Sequence, residues 1–457
     1  MYCLSKPILN EWLLLKRSGV AILLLLFIWI SMGLALIVSG IQYGKGKAER
    51  LAAADLFRRE WNTQHRNPHD AAHFGTYLFT PLTIKAILDP GLNDFSGTTY
   101  RVEAHVQHEM DYSHAQNGNV VARLGQFSVA VVLQLVVPFL ILITGSRSLT
   151  EERERGTLRL IRVQAGNLSI ITWGKVWAYY MLFSAILFPF LLFFLFTGVM
   201  MYLWVIAYLL FYFWLTLVAV FISQVSSSSR ASNISAVIVW VVLFVIMPKV
   251  AVNQSIILYP VKSRAVFEDN VRQGYLKGFD GNSPYYERGD SFMHALLKRY
   301  HVDSVSQLPV NPDGLLLQYH EDYQNKVFDH YYKGISASFA QQQVFLSRIG
   351  WIDPFIALKR VSMALSATDF YHHDSFYQQA RVYRNTLIRK LNLELAAHGQ
   401  DYKADTSFFT SLYSFKYREL PPRQILSLSW SAFAAIGVWI LIAVASVHII
   451  SKRLSGY

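Results

Sequence analysis

From Val176 to Ser229 the chain carries no Asp, Glu, Lys, Arg or His. The stretch is too long for one membrane-crossing helix, which needs about 20 mostly apolar residues to cover roughly 30 Å of hydrocarbon. It fits two, turning near Thr197-Gly198. Only 16% of the 457 residues are charged, against about 25% in ordinary globular domains, and the charges fall in discrete blocks between apolar runs. Four more runs can span: Val20 to Ile41, Leu124 to Thr144, the shorter Asn233 to Pro248, and Leu426 to Ile450. The expected fold class is an α-helical polytopic membrane protein with six transmembrane helices, at 20–41, 124–146, 176–197, 199–222, 232–248 and 426–450.

Orientation follows from the basic residues. Lys6, Lys16, Arg17, the block 147–175, Arg230 and Lys452-Arg453 share one side if both termini lie there. Short basic loops favour the cytoplasm. Segments 1–19, 147–175 and 451–457 are therefore expected inside a bacterial cytoplasmic (inner) membrane, and the long segments 42–123 and 249–425 outside it. The net charge of +12 is read as topology, and no nucleic acid is expected as a partner. The lone cysteine, Cys3, allows no internal disulfide, so the outer segments must be held by packing. Their composition is mostly helical: Ala48–Trp61, Tyr319–Ile349 and the amphipathic Ser375–His398 read as helices, and Tyr100–Gln107 as a short strand.

The spans hold no central ionisable group. Each would cost about 2.5–3.5 kcal/mol at the bilayer centre and is kept only for function, so an ion-coupled carrier is disfavoured. Gln134 and Pro138 read as a packing contact and a kink. A phosphate-cradling Gly-x-x-x-x-Gly-Lys-Ser/Thr is also missing: Gly174-Lys175 lacks the first glycine, and Val176 stands where the hydroxyl residue belongs. The chain is expected to be non-catalytic, without a nucleotide or cofactor of its own.

One charged block remains, Ser148-Leu-Thr-Glu-Glu-Arg-Glu-Arg-Gly-Thr-Leu-Arg-Leu-Ile161. Ser148 and Glu151 fit a capping box, and Glu151, Glu152 and Glu154 suit the first turn of a helix. Gly156-Thr157 interrupts that helix, and Leu158, Leu160 and Ile161 offer an apolar edge. A solvated, topology-setting loop and a docking surface both fit this pattern.

Glu152-Arg-Glu-Arg-Gly-Thr-Leu158, followed by Gly174-Lys175, resembles the coupling loop of ABC-2-type transporter permeases (a type V exporter-like fold). Ile8–Arg17 is placed like that family's amphipathic N-terminal helix. The resemblance implies six spans with both termini inside and a dimer with a second permease, the same chain or a related one. It also implies two copies of an ATP-binding subunit that carries the ATP and Mg. Glu151, Glu152, Arg153, Glu154, Gly156, Thr157 and Leu158 would make the coupling contact. The large outer segments resemble a DUF3526-like subfamily through Asn67-Pro68-His69-Asp-Ala-Ala-His73-Phe-Gly75, Asp89-Pro90-Gly91, Glu103-Ala-His105, Asp353-Pro-Phe355, Ala367-Thr-Asp369 and Tyr383-Arg384.

His65, His69 and His73 recur every four residues, a spacing that aligns imidazoles on one helical face. Pro68 works against a continuous helix across them, and capping contacts to a neighbouring domain are the plainer explanation. No metal is assigned, and these three are kept as candidate ligands; His105, His108 and His114, then His372-His373, form further groups. The resulting expectation is the membrane subunit of an ATP-driven ABC-2 exporter, in contact with lipid and open to a periplasmic partner. The alternative is an ATPase-driven scaffold whose outer domains act on a partner while nothing crosses the membrane. A metalloenzyme is the third reading.

Overall fold

The computed structural model describes residues 5–17, 19–110, 127–165, 167–194, 199–279, 281–399, 401–412 and 415–455. Cys3, His114 and the turn at Thr197-Gly198 lie outside them. Six helices among the described residues are long and apolar enough to cross a membrane: Val20–Asn62, Val129–Glu154, Leu168–Leu191, Met200–Val225, Ser229–Leu258 and Pro422–Leu454. Mostly helical domains lie between them, and the expected fold class is met.

The chain opens with amphipathic α1 (Ser5–Arg17) and α2 (Val20–Asn62). At about 1.5 Å per residue, α2 is roughly twice as long as the hydrocarbon is thick. Its first half is the apolar run; its second half is the Ala48–Trp61 helix, fused to the span without a break. Trp61 anchors that far end, its Nε1 donating to the Phe409 carbonyl at 2.8 Å. After α3 (Pro68–Ala72), β1 (Thr76–Phe79) pairs antiparallel with β2 (Thr99–Val102). β2 is the core of the expected strand; β1 was not foreseen.

The second span is helix α4 at 129–146, which widens to a π-helical stretch at Val132–Val136 just before Pro138. A proline cannot donate to the preceding turn, and such a bulge accommodates that loss. Two short helices follow, α5 (Thr150–Glu154) and α6 (Thr157–Ala165). Then come α7 (Leu168–Ser184), α8 (Phe188–Phe194), α9 (Val199–Val225) and α10 (Ser229–Leu258). Helix α9 is the hub and packs on α4, α7 and the last helix. Trp204, Tyr208, Phe211, Tyr212 and Leu215 on it are fully buried.

The second domain comprises α11 (Arg264–Lys277), α12 (Tyr285–Tyr300), α13 (Pro312–Ile349), α14 (Pro354–Leu365), α15 (Phe370–Ala396) and α16 (Thr406–Leu412), before α17 (Pro422–Ser455) returns through the bundle. Helix α13 packs along α15. Helix α14 sits against α9 and α17, with Leu358 and Val361 inside the bundle core. A second core, with Trp61, Tyr100, Phe376, Leu391 and Phe409, joins the two inter-span segments. The molecule thus has two ends. The loop end carries α1, α5, α6 and the tail of α17; the domain end carries everything between α2 and α4 and between α10 and α17.

Candidate functional site

At the loop end, the charged block forms α5 and α6, broken at Gly156, whose φ of +73° is the left-handed conformation glycine adopts at least cost. The expected capping box does not form. The start of α5 is instead capped from another helix: Ser223 Oγ of α9 accepts from the amides of Leu149, at 2.8 Å, and Thr150, at 3.1 Å. Ser148 Oγ is buried with no hydrogen-bond partner among the described residues. The competing acceptor is many residues away in sequence, which is why a local motif misread this helix start.

The residues singled out in the loop turn largely toward their own chain. Lys175 of α7, 3% exposed, lies between Glu11 of α1 at 2.6 Å and Glu152 of α5 at 2.8 Å. Arg153 donates to the carbonyls of Ser226, at 2.6 Å, and Gln224, at 3.3 Å. It thereby closes the C-terminal end of α9, where a cation is favoured. Glu154 accepts from the Ser229 amide at 2.7 Å and its hydroxyl at 2.6 Å, which holds the start of α10. Glu151 pairs with Arg155, and Thr157 Oγ1 donates to the Glu152 carbonyl at 3.2 Å. Leu158 and Ile161 pack on the bundle core. Leu160 and Val163 point out, 68% and 83% exposed, beside exposed Arg155, Gly156, Thr157 and Arg159. Gly174 explains why α1 lies so close: a Cβ there would stand 2.4 Å from Pro7 Cβ.

At the domain end, Asp89-Pro90-Gly91 meets Ala367-Thr-Asp369. The Leu92 amide donates to the Thr368 carbonyl at 2.9 Å. A Cβ on Gly91 (φ +50°) would fall 2.4 Å from Thr368 Oγ1 and 2.7 Å from its carbonyl oxygen. Buried Asp89 is the acceptor of a polar network. The Gly91 amide donates to its Oδ1 at 3.0 Å, Gln134 Nε2 to its Oδ2 at 3.2 Å, and Ser362 Oγ also to its Oδ2. Trp204 Nε1 and Tyr208 in turn reach Ser362 Oγ at 3.1 and 3.0 Å, and Gln134 Nε2 reaches the Tyr208 hydroxyl at 2.8 Å. Burial raises the Asp89 carboxyl above the usual range, and these hydrogen bonds oppose the rise. Gln134 is therefore more than a packing contact: it links a span to the domain.

The histidines form the second cluster. Pro68 occupies the first turn of α3, with Asn67 as its cap, so the helix starts after His65. The spacing of four brings only His69 and His73 together, and the third imidazole is His105, delivered by the chain after β2. The ligand atoms of these three lie within 4.8 Å of one another. His69 Nε2 stands 3.2 Å from His73 Nε2 and 3.3 Å from His105 Nε2. His65 is not part of this group. His69 Nδ1 faces Asn392 Oδ1 at 3.0 Å. His105 is held in a left-handed conformation, φ 62°, that costs a non-glycine residue about 1–3 kcal/mol. Its amide donates to Glu321 Oε2 at 3.1 Å, and its carbonyl accepts from Gln324 Nε2. Glu321 is fully buried and paired with fully buried Arg384. Desolvation holds the His69 and His105 imidazoles below the ordinary histidine range, Glu321 opposing it at His105. Gly75 and Pro68 shape this region, with Arg101 close over Gly75. The sequence places His105 in a separate histidine group, and Glu321 and Asn392, which support His105 and His69, carry no local signal.

Residues 264–418 match the model of a domain family of unknown function, DUF3526. No curated protein and no solved structure matches the chain. The fold thus defines a multi-pass helical membrane protein. It carries a DUF3526 domain, spanning α11 to α16 and including Asp353, Ala367-Thr-Asp369 and Tyr383-Arg384. The histidines and Asp89-Pro90-Gly91 lie outside that match but dock on it.

Proposed function

We propose that the chain is the membrane-spanning permease subunit of an ATP-driven ABC-2-type transporter, an exporter, powered by a separate ATP-binding subunit that docks on the 148–161 loop. Catalysis and the ATP and Mg belong to that subunit, two copies of which serve a pair of permeases. The observation that carries the reading is the anchoring of α5. One five-residue helix is bonded to α1 and α7 through Glu152, Glu11 and Lys175, to α9 through Arg153, and to α10 through Glu154. A push on α5 and α6 would reach four other helices at once. Leu160 and Val163, with Arg155 and Arg159 beside them, supply the exposed face for the push. Glu152, Arg153 and Glu154 transmit it.

A second reading has its own support. The Asp89–Gln134–Tyr208–Ser362 network ties the domain end to α4 and α9, so a moving bundle would also move the domains. A scaffold that works on an external partner would use that tie without passing cargo.

Leu160→Glu with Val163→Glu tests the docking. Both side chains are exposed, so melting should stay within about 0.5 kcal/mol of wild type. Co-purification of the ATP-binding subunit should be lost. Retention of that subunit at wild-type stoichiometry would remove the docking surface. Uptake of amphiphilic cargo into inverted vesicles separates the exporter, which shows ATP-dependent transport, from the scaffold, which shows none.

A further inference from the structure

We infer that His69, His73 and His105 form a binding site for a divalent transition-metal ion of the zinc class, on the domain end and independent of the transport reading. The three ligand atoms lie within 4.8 Å of one another, and the two separations from His69 match those such an ion requires. Nitrogens held roughly 2.0–2.1 Å from a tetrahedral zinc ion stand about 3.3 Å apart; the separations from His69 Nε2 are 3.2 and 3.3 Å.

A purely hydrogen-bonded cluster accounts for these contacts less well. Asn392 Nδ2 donates to Gln318 Oε1 at 3.1 Å, which orients Asn392 Oδ1 as the acceptor facing His69. His69 therefore carries its proton on Nδ1, leaving Nε2 with one in-plane lone pair. Two other Nε2 atoms approach that single lone pair, and one lone pair cannot accept two well-aligned donors. A cation accepts all three lone pairs together.

The supports are those of a built site. Asn392 fixes the tautomer and ring orientation of His69, the role a hydrogen-bonded partner plays behind a metal-binding imidazole. His105 is kept in its strained conformation by Glu321 and Gln324 of α13, bonded to its amide and carbonyl, and its Nδ1 lies 3.7 Å from Glu321 Oε2. His73 is exposed, so a fourth position faces solvent and would hold water or an incoming ligand. An N3 set of imidazoles suits zinc, copper or nickel rather than magnesium or calcium. All three ligands come from the first inter-span segment and their supports from α13 and α15, so bound metal would clamp one onto the other.

The test uses the full chain in detergent, purified through a non-histidine tag, stripped with a chelator and dialysed against zinc sulfate. Elemental analysis should find one zinc per chain. His73→Ala and His73→Gln should weaken binding by at least about 10-fold while melting like the metal-free wild type. His65→Ala should bind like wild type. Zinc should raise the melting temperature of wild type and not of the His73 variants, because a ligand that binds only the folded state stabilises it. Cobalt should give the visible absorption of a tetrahedral site. Zinc no higher than background in wild type, or equal affinity in wild type and both His73 variants, would overturn the assignment.

Discussion

At the loop end Lys175 is enclosed between Glu11 and Glu152, whereas at the domain end His69, His73 and His105 turn their ring nitrogens toward one another. Both clusters join elements far apart in the chain. The first brings opposite charges together, so Lys175 finds its counter-charges within the protein. The second brings two imidazole nitrogens onto the single Nε2 lone pair of His69, which cannot satisfy both. A group of the first kind is an anchor, and losing it should cost stability. A group of the second kind is a binding site, and losing it should cost affinity with little change in stability.

The largest effect should come from Lys175→Met. It leaves two carboxylates facing each other in a poorly solvated place, and breaking a buried ion pair from one side costs about 3–5 kcal/mol. Replacing all three residues at once, Glu11→Leu with Glu152→Leu and Lys175→Met, should recover most of that loss, because an apolar replacement of a buried ionic group is often neutral. Thermal melting in detergent reads both. A Lys175→Met protein as stable as wild type would break the distinction between anchor and site.

Gly91→Ala probes the tie between the domain and the bundle. The added methyl meets both the hydroxyl and the carbonyl of Thr368, at a positive φ. Overpacking of this kind costs about 1–3 kcal/mol, and the loss should appear as earlier proteolysis of the 264–418 region. Unchanged proteolysis would mean that the contact does not hold the domain.

The smallest effect is one of pH. Burial lowers the pKa of His373 to about 4; its Nε2 faces Asn93 Oδ1 at 2.8 Å, with Asp369, His372 and Arg50 nearby. An unfolded chain protonates this histidine near pH 6.5. Between about pH 6.5 and 4 the unfolded state therefore binds more protons, and stability falls as pH falls through that window. His373→Gln should flatten the decline. A decline of the same size in that variant would assign it to other groups.

The six apolar helices were legible in the sequence because length and the absence of charge are local properties. The break at Gly156 and the helix of Ser375–His398 were legible for the same reason. Ser148 misled, since a capping box competes with any acceptor the fold brings nearer, and Ser223 came from another helix. The break that Pro68 imposes after His65 was legible, since α3 opens at Pro68, but the arrival of His105 beside His69 and His73 was not. Glu11 and Lys175 are plain in the sequence, yet nothing local says that they meet.

What the sequence determined by itself was the set of apolar helices, the polar blocks between them and the local breaks, because hydrophobic transfer and backbone preference act over a few turns of chain. Tertiary structure alone decided which charges became anchors, which histidines converged and how Asp89 reached Gln134 and Ser362. Those outcomes depend on side chains brought within about 3 Å from distant parts of the chain, a distance set by the packing of α1, α7, α13 and α15.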